Sequence, residues 1–85
     1  MEKEFSVQNP LGIHSRPAGA LMKKAKAFTC DITIAKGDKS VNAKSIVGLL
    51  SLEMRYGDKV TVKASGEQEE EAVNELGTML ESVLE

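Results

Sequence analysis

Gly12-Ile13-His14-Ser15-Arg16-Pro17-Ala18 places the chain's only histidine two residues before an arginine and three before a proline that reads as the start of a helix. These residue types at this spacing suit phosphoryl chemistry. The first amides of a helix have no partners within it, and the aligned peptide dipoles leave that end positive, so an anion is favoured there before any side chain contributes. An arginine adds a planar fork of donors matched to phosphoryl oxygens, and an imidazole, largely neutral at cellular pH, adds a nucleophile. Together the three could accept a phosphoryl group. A solitary histidine beside a helix cap can also be only a solvated surface residue, so the surrounding chain has to decide.

The elements that must position this segment follow from periodicity. Glu4-Phe5-Ser6-Val7-Gln8 alternates as a half-buried strand does, and Asn9-Pro10 breaks it ahead of the histidine loop. From Pro17 to Phe28 the apolar positions Ala18, Leu21, Met22, Ala25 and Phe28 recur at helical spacing, with Pro17 suited to the first turn. Arg16, Ala20, Lys23 and Lys24 share its outer stripe, which makes the histidine's surroundings basic. Asp31–Ala35 and Ser40–Ala43 read as a hairpin turning through Lys36-Gly37-Asp38-Lys39. Ser45 is placed as the N-cap of a short helix, Ile46–Leu52, whose apolar residues face nearly all round, so some of them should be exposed. Val60–Ala64 reads as a fourth strand, and Ser65-Gly66-Glu67-Gln68 has the spacing of a capping box for a last helix. That helix carries an apolar stripe of Ala72, Val73, Leu76, Met79, Leu80, Val83 and Leu84, with glutamates outside it.

Each strand has one apolar and one polar face, so only one face of the sheet needs covering. The expected fold is an α+β, open-faced two-layer sandwich of order βαββαβα: a four-stranded antiparallel sheet with three helices on one face. Residues 1–85 suffice for a single small domain, without room for an enclosed cleft. Eleven basic and thirteen acidic side chains give a net charge of −2, which argues against non-specific nucleic-acid binding. Cys30 is alone, no cysteine and histidine cluster could hold a metal, and no cofactor is implied. No apolar run approaches the roughly 20 residues needed to span a bilayer, so a cytoplasmic protein without membrane insertion is expected.

The segments Gly12-Ile13-His14-Ser15-Arg16-Pro17-Ala18-Gly19 and Asn42-Ala43-Lys44-Ser45-Ile46-Val47-Gly48-Leu49-Leu50-Ser51-Leu52, at this separation, resemble those of HPr, the phosphocarrier family of the bacterial sugar phosphotransferase system. The resemblance spans the whole chain. It implies that His14 takes a phosphoryl group, through Nδ1, from Enzyme I, which took it from phosphoenolpyruvate, and passes it to IIA domains of sugar permeases, with Arg16 steadying the oxygens. It implies that Ser45 is a regulatory site for HPr kinase/phosphorylase, linking uptake to carbon catabolite regulation and a transcription factor. Ile46, Val47 and Leu50 would match the apolar docking patch, with Lys23 and Lys24 meeting acidic residues around it. Serine at position 15, where alanine is frequent in the family, is a mild departure.

Such a chain would be a stoichiometric carrier rather than an enzyme, and a monomer is the simplest expectation for a relay. A hydrolase using His14 with Ser15 or Ser45 lacks an acidic residue beside the histidine in sequence. A non-catalytic regulatory or interaction module would leave His14 replaceable. A nitrogen-branch phosphocarrier paralogue shares the histidine motif.

Overall fold

Strand alternation sorts the sheet into an apolar face and a polar one. The structure, a computed structural model, describes residues 1–82; Val83 and Leu84, expected on the last helix, lie outside the described residues. Its elements run β1 (Glu2–Ser6), α1 (Ser15–Lys26), β2 (Asp31–Lys36), β3 (Lys39–Asn42), α2 (Ile46–Ser51), β4 (Lys59–Ser65) and α3 (Glu69–Leu80), the expected βαββαβα order. The strands form one sheet in the order β1-β4-β2-β3, antiparallel throughout. Register sets Val62 beside Ile34, Ile34 beside Val41, Phe5 beside Val60 and Ile32 beside Ala64, which gathers the apolar side chains on one face. The other face pairs Glu4 with Thr61, and Thr33 with both Lys63 and Asn42, and it meets water.

The helices cover the apolar face. α3 lies against β1, β4 and β2, α1 touches both α2 and α3, and α2 rests against β3. Leu21, Leu49, Leu76 and Leu80 meet Ile32, Ile34, Val60 and Val62 in a core from which water is excluded. Each such side chain contributes about 2 kcal/mol on burial. At the hairpin tip Gly37 takes φ +60°, a conformation a side chain would oppose, and the register closes with Lys36 opposite Lys39.

Two helix starts differ from the sequence reading. α1 begins at Ser15, two residues ahead of the expected start, with His14 as its N-cap residue, and Pro17 stands in the first turn as expected, at the third helical position. Proline is accepted there because no amide of the first turn has an intrahelical partner to lose. The capping box expected over Ser65 to Gln68 does not form. Ser65 is taken by the strand ladder, paired with Asp31, and the cap shifts by one residue: Glu69 N–H donates to Gly66 O at 3.3 Å and Gly66 N–H donates to the Glu69 carboxylate at 3.2 Å. Gln68, at φ +63°, makes the turn between them.

Gly77 sits inside α3, where glycine costs about 1 kcal/mol relative to alanine. The Phe5 ring accounts for it, since a Cβ at Gly77 would overlap that ring. Gly77→Ala should therefore destabilise the protein by about 1–3 kcal/mol in equilibrium urea unfolding, despite its better helix propensity. An unchanged or raised midpoint would show that Phe5 turns aside freely.

Candidate phosphoryl-acceptor site

The histidine loop is hung on the loop that joins α2 to β4. As the chain leaves β1, Val7 N–H donates to Asp58 O at 2.9 Å and Gly57 N–H donates to Val7 O at 2.8 Å, which zips the two segments together. Asn9, 2% exposed, then closes a turn: Gly12 N–H donates to its backbone oxygen at 2.8 Å and Leu11 N–H to its Oδ1 at 3.3 Å. Gly12 takes φ +72° and lies so close to the opposite loop that a Cβ would stand 2.7 Å from Met54 O. The next residue fixes the register, with Ile13 buried and its N–H donating to Met54 O at 2.8 Å.

His14 follows as the residue that opens α1, extended at φ −88° and ψ −166°, its carbonyl accepting from Ala18 N–H at 3.0 Å. Its side chain is exposed and makes no capping hydrogen bond, leaving the ring nitrogens available. Ile13 is buried on one side, Pro17 and Ala18 on the other, while His14, Ser15 and Arg16 stand in solvent. The backbone is clamped and the chemistry is not.

The electrostatics are uniform in sign. The Ser15 and Arg16 amides are the first two of α1 and have no intrahelical acceptor, and no acidic residue occupies the first turn. Among the described residues no carboxylate pairs with Arg16, so its guanidinium is free for an outside anion. No group of three metal-ligating side chains occurs among the described residues. His14, the Ser15 and Arg16 amides and the Arg16 side chain thus follow one another at an exposed helix start, the groups a tetrahedral anion would call for.

α2 lies alongside. Ser45 is its N-cap, accepting from Gly48 N–H at 3.2 Å, as its place in the sequence suggests. Gly48 brings the helix close to β3, a Cβ there standing 3.2 Å from Val41 Cβ, and Gly19 lets α1 approach to 3.8 Å from Ile46 Cδ1. Leu49 is buried, Ile46 is partly buried, and Val47 and Leu50 are 74% and 39% exposed. The expected partial exposure of this short helix is thus found at Val47 and Leu50.

The lysines divide. Arg16 and Lys23 share the Gly19 side of α1, which faces α2, because seven residues make nearly two turns. Lys24 turns toward α3 and is paired with Glu75 at 3.2 Å. Sequence reading also passed over Leu11, 80% exposed, and treated Tyr56, 62% exposed, as peripheral. Their loops approach each other where Gly12 meets Met54 and Arg55. The available signal was a leucine between Pro10 and Gly12, inside a turn too short to bury it.

A family model described as the PTS HPr component phosphorylation site matches residues 1–82. The phosphocarrier protein HPr of Borreliella burgdorferi is 41% identical over 85 residues, covering all of this chain and 99% of the relative. The HPr structure from Thermoanaerobacter tengcongensis superposes with a TM-score of 0.91 at 39% identity, covering 96% of this chain and 92% of that one. Crh, the catabolite repression HPr of Bacillus subtilis, seen as a domain-swapped dimer, superposes with a TM-score of 0.78 at 40% identity over 98% of this chain and 97% of its own. With this order of elements, an open histidine at the head of α1 and relatives alike over nearly their whole lengths, the chain belongs to the HPr phosphocarrier family of the phosphotransferase system.

Proposed function

We propose that this protein carries phosphoryl groups on His14, from Enzyme I to the IIA domains of sugar permeases, as a cytoplasmic monomer and a stoichiometric carrier. The observation that carries the reading is the exposed imidazole at the N-cap of α1, beside the Ser15 and Arg16 amides and a guanidinium without an ion-pair partner among the described residues. In the transfer, the lone pair of one ring nitrogen forms the N–P bond while the bond from phosphorus to the donor breaks. The donor keeps that electron pair. Charge in such a loose transition state spreads over the three equatorial phosphoryl oxygens, where the amides and Arg16 meet it. The reverse sequence hands the group on, and nothing in the site needs to change shape between the two.

A relay gains from brief encounters, and a small rim of exposed Val47, Leu50 and partly buried Ile46 supplies a modest apolar contact. Lys23 stands at its edge for an acidic partner; Lys24 would first have to leave Glu75, a pair at 3.2 Å whose side chains are 41% and 39% exposed and therefore weakly held. Ser45 is the regulatory residue, modified by HPr kinase/phosphorylase and read by a catabolite-control transcription factor. A phosphate on it places about two negative charges beside Ile46 and Val47, so it acts by repelling an acidic partner rather than by unfolding the domain. The second reading is a regulatory module in which Ser45 matters and His14 is dispensable; likeness to Crh speaks for it and the presence of His14 against it.

Incubation with phosphoenolpyruvate and Enzyme I should add one acid-labile phosphoryl group, seen by intact-mass measurement and absent in His14→Ala. Labelling that survives the substitution would rule out the carrier assignment. Ser45→Asp and Val47→Asp should each keep a cooperative melt yet slow acceptance about tenfold or more, equivalent to about 1.4 kcal/mol at the encounter. Unaltered kinetics in both would remove α2 from the docking surface.

A further inference from the structure

The chain of bonds that sets His14 does not stop at Met54. Glu53, just past the end of α2, holds φ +51°, a left-handed conformation that costs a non-glycine residue about 1–2 kcal/mol. Two lysines of the β2–β3 hairpin reach into this corner. Lys39 Nζ donates to Ser51 O at 2.9 Å, and Lys36 Nζ donates to Glu53 O at 2.7 Å. α2 has no basic residue in its own last turn, so Lys39 meets its terminal Ser51 carbonyl, Lys36 the Glu53 carbonyl just beyond it, and both sit at the negative end of its dipole.

Lys36 makes a second contact that Lys39 does not. Its Nζ lies 2.9 Å from Asp58 Oδ2, and the same carboxylate oxygen accepts Arg55 N–H at 2.8 Å. The lysine hydrogen bond, followed by that from the Arg55 amide, holds the Asp58 carboxyl below its usual range, so the carboxylate stays ionised at neutral pH. One ammonium therefore grips both ends of the segment from Glu53 to Asp58. Between those ends lies Met54 O, the acceptor for Ile13 N–H, and next to Ile13 is His14.

We propose that Lys36, together with Asp58, is a positioning residue for phosphoryl transfer: it locks the segment after α2 in its strained conformation and thereby sets the backbone from which His14 projects. The inference rests on the carrier reading for its kinetic consequence and on bonded geometry for its structural one. Lys36 bonds to the supporting loop and not to His14, and its effect passes through Met54 O and Ile13 N–H. Because α2 is also the helix that Ser45 opens, the latch ties the docking helix and the acceptor loop into one unit.

The test compares Lys36→Met, Asp58→Asn and Lys36→Arg with the parent protein. Transfer from phosphorylated Enzyme I gives separate kcat and KM values, and NMR follows the Ile13 amide and His14 ring signals. Lys36→Met and Asp58→Asn should lower kcat about three- to thirtyfold with KM changed less than about twofold, and should move both sets of signals. Lys36→Arg, which keeps the charge and can still donate to both oxygens, should restore them. Asp58→Asn still offers an oxygen to Arg55 N–H, so it folds even if Lys36→Met does not. Signals that stay at their parental positions, or that move with no change in kcat, would overturn the proposal. A parent protein that takes no phosphoryl group would sink the carrier reading alone, because the Ile13 and His14 signals would still decide whether the latch exists.

Discussion

A single backbone hydrogen bond, Ile13 N–H to Met54 O at 2.8 Å, is the constraint on which the site depends. It can form only because Gly12 admits the opposite loop to a distance no side chain would allow and takes a φ of +72° in doing so. With that bond in place the chain enters α1 in one orientation, and the residue that emerges at the N-cap is His14. On the carrier reading, a shift of that bond would displace the imidazole from the amides and the guanidinium proposed to meet the phosphoryl oxygens.

The fold divides labour between two neighbouring helix starts. α1 has twelve residues and an N-terminal turn free of acidic side chains, so it presents a positive terminus to solvent. α2 has six residues, one of them fully buried, and contributes surface instead: Val47 and Leu50 stand out while Leu49 anchors the helix in the core. The seam between them runs through Gly19 and Ile46, so a partner resting on α2 comes up against Arg16 and Lys23 as well. On the proposed reading, the closeness of α1 and α2 is what aligns a donor with the acceptor imidazole.

Much of this was legible in the residues themselves. Period-two alternation gave the strands, with β1 lying two residues earlier, at Glu2–Ser6, than Glu4–Gln8, and because each had one apolar face, it gave the side on which the helices lie. Ser45 followed from its type and position, and the structure seats Gly48 N–H on its hydroxyl. What stayed hidden was decided by tertiary contact. Ser65 and Gln68 have the spacing of a capping box, but pairing of Ser65 with Asp31 in the sheet outweighed the local preference. Lys24 shares a stripe with Lys23 in sequence, yet Glu75 on another helix draws it away. Lys36 and Asp58 lie in separate turns, and nothing local joins them to the histidine; only the folded chain brings them to the loop that carries it. Pairings between distant segments leave no period to read.

Gly12→Ala tests the central constraint most directly, by the rate at which folded protein accepts a phosphoryl group from Enzyme I, with folding checked by circular dichroism. The account predicts a cooperatively folded protein whose acceptance falls about a hundredfold, the scale expected when a reacting group is misplaced by about 1 Å. Acceptance at the parental rate would contradict it, since the imidazole would then owe nothing to the close approach of the two loops.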